Sequence, residues 1–146
     1  MPPLSAILQC QFEQGIANLE LRLHEQKSIF LLGSIQIRFL TEEQGQAILV
    51  VPIQLTIDDL VSFASAARSN HRDLNGDARL LDAGGTELLT LRYSSPLRGH
   101  IVVEGEVFLF SARGDIAMRA KYEGLATDQT YISAFLLAIE GFIDTL

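Results

Sequence analysis

Hydrophobic periodicity switches twice along this chain, each time from a strand spacing to a helix spacing, and the two switches lie about half a chain apart. Leu8, Cys10 and Phe12 are apolar at every second position, and so are Leu19, Leu21 and Leu23. Both stretches predict strands with one wet face. A longer run from Ile29 to Leu40 begins apolar on both faces and then alternates through Ile35, Ile37 and Phe39. The next, Ala47 to Leu55, contains Pro52, which lacks a backbone donor and so favours a sheet edge or a bulge. From Ile57 to Arg72 the apolar residues Leu60, Phe63, Ala64 and Ala67 fall at i, i+3, i+4 and i+7, one helical stripe. Thr56 is placed to cap that helix, with Asp58 and Asp59 in its first turn and Arg68, His71 and Arg72 towards its end.

The second half repeats the plan. After a turn at Asn75-Gly76, strands are expected at Ala78 to Asp82 and Glu87 to Tyr93, joined through Ala83-Gly84-Gly85. Longer ones follow at His100 to Phe110 and Asp115 to Glu123. Thr127 or Asp128 then caps a final helix reaching Leu146, striped by Ile132, Phe135, Leu136, Ile139, Phe142, Ile143 and Leu146. A shift of 72 residues places Leu19 on Leu91, Ile29 on Ile101, Gly33 on Gly105 and Phe63 on Phe135. Few of the paired residues are identical, so the repeated element order is the better argument for duplication. The expected fold is α+β, one domain over residues 1–146 with repeat halves 1–75 and 76–146. Each half supplies four strands and a helix, and curved antiparallel sheet, single or double, packs against the two helices. Gly33 and Gly105 interrupt long strands, where glycine costs ~0.5–1 kcal/mol relative to alanine. A bend, a bulge or a closely approaching backbone would account for both.

Function is less legible. Apolar residues make up 48% and charged residues 20%, the composition of a globular chain. The net charge of −7 argues against nucleic-acid binding, which needs clustered Lys and Arg. No apolar run has the length of a membrane span, and Met1-Pro2-Pro3-Leu4 lacks the basic start and apolar stretch of a signal peptide. The single cysteine, Cys10, excludes an internal disulfide and any CxxC site, so a reducing cytoplasmic location is expected. His24, His71 and His100 form no metal-ligand pattern, and no cofactor motif is present: Gly84-Gly85 precedes a strand, not the helix N-terminus that would cradle a phosphate.

Glu104 and Glu106 share one face of a strand at a separation of ~7 Å. Paired carboxylates near that distance serve inverting glycosidases. Yet Phe108 and Phe110 follow on the same face, and the chain has no tryptophan for sugar stacking, so a solvated or salt-bridged pair is expected. No catalytic set emerges.

The segment Arg98-Gly99-His100-Ile101-Val102-Val103-Glu104-Gly105, with Thr127-Asp128-Gln129-Thr130-Tyr131 opening a helix that contains Phe135, resembles the C-terminal half of small bacterial proteins of the WapI-type immunity group. The resemblance covers about a third of the chain and implies strands leading into a capped terminal helix, in a protein that binds a toxin. It assigns no functional residue, because the matching positions are structural.

The expected function is therefore non-catalytic protein binding, immunity- or adaptor-like, through an acidic surface that includes Asp58, Asp59, Glu104 and Glu106, with a basic protein as the natural partner. The alternative is a small-ligand binder or enzyme with a cavity between sheet and final helix, lined by Phe108, Phe110, Tyr122 and Phe135. On the final helix, Ala134, Leu137, Ala138 and Gly141 lie opposite the core stripe, small or apolar where solvent would favour charge. They are candidates for packing against the first helix or for a homodimer contact.

Overall fold

In the computed structural model, which describes residues 2–43, 45–93 and 100–146, the two periodicity switches are two strand-to-helix junctions. The first half comprises β1 (Leu4–Phe12), β2 (Gly15–Lys27), β3 (Phe30–Thr41), β4 (Gly45–Thr56) and α1 (Ile57–Asp73). The second comprises β5 (Gly76–Leu81), β6 (Glu87–Tyr93), β7 (His100–Phe110), β8 (Ile116–Asp128) and α2 (Gln129–Ile143). Arg98 and Gly99, which begin the segment resembling immunity proteins, lie outside the described residues, as does Met1.

The eight strands among the described residues form one antiparallel sheet, in the order β4-β3-β2-β1-β8-β7-β6-β5. The alternation is obeyed strand by strand. Leu4, Ala6, Leu8 and Cys10 of β1, Ala17, Leu19, Leu21 and Leu23 of β2, and Ile101, Val103 and Val107 of β7 are all buried on one face. The helices cover that face, α1 packing on β5 and β4, and α2 on β1 and β8. Phe63 and Phe135 meet between the helices in an edge-to-face pair 6.5 Å apart.

The expected caps hold. The Thr56 hydroxyl accepts from the Asp59 amide at 3.0 Å, and Asp128 rather than Thr127 caps α2, accepting from the Tyr131 amide. Thr127 instead turns inward, and its hydroxyl donates to the Gln9 carbonyl across the β1–β8 junction. β8 also runs past Glu123, where the sequence pattern stops it. Gly124, at φ 73°, takes up a register shift against β7 as a bulge, and the strand resumes with Leu125 buried.

The 72-residue relation is geometric as well as sequential. Leu4 and Gly76, Gly15 and Glu87, and the two N-caps Thr56 and Asp128 stand that far apart at element boundaries. Equivalent residues also meet. Phe63 touches Phe135, and Arg68 forms a two-pronged ion pair with Glu140. Where β1 joins β8, Gln11 stands opposite Ala126; the equivalents Ala83 and Gln54 are joined by an amide-to-carbonyl hydrogen bond of 2.8 Å. Such reciprocal contacts describe an approximate two-fold axis between the helices, with one helix over each seam. The sheet remains open, but it curls until its outer strand β4 lies beside the β5–β6 turn and β7.

Candidate binding cleft

β4 is an edge strand, the position Pro52 favours. A strand residue points its N–H and C=O to the same side. Because the Gln54 carbonyl accepts from Ala83, away from β3, the backbone groups of Pro52, Val50, Ile48 and Gln46 face outward as well. At Pro52 the missing N–H therefore leaves no ladder bond unmade.

On the other side of the gap, β6 is short. It pairs with β7 only from Thr90–Glu104 to Tyr93–Ile101, so β7 continues from Gly105 to Phe110 without it. The Leu88 carbonyl, left without a β7 partner, accepts from the Tyr122 hydroxyl at 2.5 Å. Tyr122 reaches it from β8 by passing over Gly105, where an added methyl group would run into the phenolic oxygen. Burial pushes the Tyr122 phenol far above its ordinary pKa, so it stays a donor. The close approach that the sequence allows for a mid-strand glycine is this one.

Between these elements opens a cleft of about 640 Å3. Leu32, Val51, Pro52 and Ile53 form one wall, Phe108, Phe110 and Ile116 the other, and Leu88 and the β5–β6 turn the end. Phe108 and Phe110 stack at 6.3 Å, and the Arg119 guanidinium lies 5.4 Å from the Phe108 ring centre. Phe110 and Ile116 are each 59% exposed, costly for side chains of this kind in solvent. The carboxylate of Asp82 is occupied in accepting from the Gly84 and Thr86 amides. Chemically, the cleft offers apolar surface and strand-edge backbone and no acid–base pair.

The sequence-derived candidates disperse over the fold. Glu104 and Glu106 do share the outer face of β7, but each is held by an arginine of a flanking strand, Arg92 of β6 and Arg119 of β8. Asp58 and Asp59 sit in the first turn of α1, far along the chain from them. Phe135 is wholly buried against Phe63, and Tyr122 is buried where it crosses Gly105, so neither lines a space with Phe108 and Phe110. The helices pack through their core stripes, leaving Leu137 62% exposed and Gly141 with nothing near it. Ala134 is exposed and Ala138 half-buried on the same outer side.

The cleft itself has almost no signature in the sequence. Its walls are far apart in the chain, and the only local signals are Pro52 and the Phe108-Leu109-Phe110 run, apolar on both faces at a strand end.

Among the described residues no group of His, Cys, Asp and Glu is arranged to hold a metal ion. Cys10 is buried, and desolvation pushes its thiol up to about 12. With so little thiolate at mildly alkaline pH, a disulfide reagent should label the native protein only at the rate at which it unfolds. Labelling complete within seconds without denaturant, followed by absorbance, would contradict this placement. No helix among the described residues is long and apolar enough to cross a membrane. Comparison of the chain with protein-family models, curated proteins and solved structures finds no match.

Proposed function

We propose that the protein is a non-catalytic binding module that holds an apolar segment of a partner protein in the cleft between β4 and β7. The observation that carries this reading is the cleft wall of Phe108, Phe110 and Ile116 facing Val51 and Ile53 across about 640 Å3. Phe110 and Ile116 are each 59% exposed, and burying that remainder is worth ~1–2 kcal/mol apiece, so the two together can anchor a partner. The net charge of −7 favours a basic partner and makes encounter sensitive to salt. Steering of this kind belongs to the whole surface, since Glu104 and Glu106 are already matched by arginines. Immunity- or adaptor-type binding, which the resemblance of the C-terminal third suggests, is one form of this activity. The unpaired thiol of Cys10 suits a reducing, cytoplasmic setting.

The test is selection of peptides from a displayed random library on the native protein at low salt, with the double variant Phe110→Asp, Ile116→Asp as counter-selection. Enriched peptides should be apolar with flanking Lys or Arg, and should bind the variant at least ~10-fold more weakly, the equivalent of about 1.4 kcal/mol. Peptides that bind both proteins equally would remove the cleft from the reading. A second reading is favoured by volume, since 640 Å3 lies in the range of small-molecule sites. Native mass spectrometry that finds an apolar small molecule bound to the wild type and lost in the variant, with no peptide enriched, would replace the protein partner with that ligand.

A further inference from the structure

The approximate two-fold relation between the halves gives the molecule two free strand segments that can be compared directly. β4 from Gly45 to Val51 extends beyond the seam at Gln54–Ala83, and β8 from Ala117 to Glu123 extends beyond the equivalent seam at Ala126–Gln11. The two differ sharply in charge. The β8 segment carries Arg119, Lys121 and Glu123; because the bulge at Gly124 adds a residue, the β4 positions that match the outward-facing Arg119 and Lys121 are Ile48 and Val50, and from Gly45 to Thr56 β4 has no charged residue at all. Charges on a free edge are how sheet proteins prevent edge-to-edge pairing. The β8 segment has that protection and the β4 segment does not.

The β4 segment is exposed along its outer face, while Leu49 is half-buried and Val51 buried on the inner one. Gly45, Gln46, Ala47, Ile48 and Val50 are exposed, Ile48 at 49% and Val50 at 55%. The outward-facing backbone groups of Gln46, Ile48 and Val50 complement one another in antiparallel pairing. We infer that this edge is a self-association surface, at which β4 of a second copy pairs antiparallel about a two-fold axis through Ile48. In that register Gln46 stands opposite Val50 of the second copy, and Ile48 opposite its own counterpart. Pro52, lacking an N–H, ends the ladder on each side. A second copy is the occupant that the register fits, because an uncharged segment whose outward backbone groups are symmetric about Ile48 is its own complement. Two chains of net charge −7 repel, and an uncharged strand is where they can meet without placing like charges opposite each other. The ladder ends where the cleft wall of Val51, Pro52 and Ile53 begins, but the anchors Phe110 and Ile116 lie on β7 and β8, so substitutions there and at Ile48 and Val50 test the two readings separately.

Sedimentation velocity of the full chain across micromolar to millimolar concentrations should show a concentration-dependent dimer of the 16.1 kDa chain that tightens as salt rises. The opposite salt dependence belongs to a basic partner. Ile48→Lys with Val50→Lys should weaken the dimer at least ~10-fold without unfolding the chain, because both side chains are half exposed. Ile48→Cys should form an intermolecular disulfide, since residues opposite each other in such a ladder have Cα atoms ~5.5 Å apart, within disulfide reach. The buried Cys10 does not compete. A monomer at every concentration, a dimer indifferent to the lysines, or no cross-link in the Ile48→Cys variant each overturns the inference. If the monomer instead binds an added strand-forming peptide, with amide shifts along β4, the edge serves a foreign strand and self-pairing is wrong.

Discussion

Phe135→Ala should cost the fold about 3–5 kcal/mol, the range for deleting a fully buried phenylalanine, read as a fall in the urea midpoint at unchanged slope. Phe135 is wholly buried and its ring meets Phe63 edge to face where the two halves join, so truncation leaves a cavity between α1 and α2. Neither helix can close that cavity independently. Each is pinned to its own seam of the sheet, and the Arg68–Glu140 ion pair ties the two together. Being about a third exposed, that pair itself contributes at most ~1 kcal/mol. The size of the loss matters because domains of this kind are stable by only ~5–15 kcal/mol. Leu137→Ala, two residues along the same helix, is the control: the side chain is 62% exposed, and its removal should stay within ~0.5 kcal/mol. Equal losses at the two positions would mean that α2 does not present the face described.

Element type and order were readable from the chain because both depend on local pattern. Period-2 runs became strands, the Leu60-Phe63-Ala64-Ala67 stripe became the buried face of α1, and Thr56 and the Thr127-Asp128 pair marked the helix starts. Sheet order was not readable. That β1 lies beside β8 depends on the Gln11–Ala126 bridge and the Thr127 hydroxyl on the Gln9 carbonyl, contacts more than a hundred residues apart with no local signature. One sheet rather than two follows from that single junction. The missed end of β8 has a local cause: glycine ordinarily breaks a strand, and only the register against β7 reveals Gly124 as a bulge.

The candidate site divides along the same line. Strand alternation placed Glu104 and Glu106 on one face and left them either solvated or salt-bridged; the arginines that hold them were not foreseeable. The aromatic residues proposed to line one cavity separate because strand parity puts Phe108 on the outer face of β7 while Phe135 enters the core from α2. The cleft exists because β6 stops short and, among the described residues, no strand pairs with the outer side of β4, and both facts concern pairing, which a one-dimensional pattern does not encode.

Gly33→Ala and Gly141→Ala should move stability in opposite directions, although both replace a glycine inside a regular element by a residue with better propensity. Propensity alone says that both substitutions gain, by ~0.5–1 kcal/mol. At Gly141 nothing lies within 4 Å of the added methyl, so α2 should realise that gain. At Gly33 the methyl would overlap the Arg22 carbonyl oxygen and fall 2.9 Å from the Leu23 Cα, main-chain atoms of β2 with no rotamer to change. Relief requires β2 to shift next to its own irregularity, where the register against β3 slips between Leu23 and Glu25. Overpacking typically costs ~1–3 kcal/mol. The upper end is expected here, because β2 is clamped between β1 and β3 and buries Leu19, Leu21 and Leu23. Denaturant midpoints of the two variants, measured side by side, decide the matter. A stabilised Gly33→Ala protein would mean that β2 and β3 are not in such close approach and that the glycine serves another purpose. Loss at Gly33 with gain at Gly141 would show that the mid-strand glycine is kept for the backbone pressed against it, against the local preference of the strand.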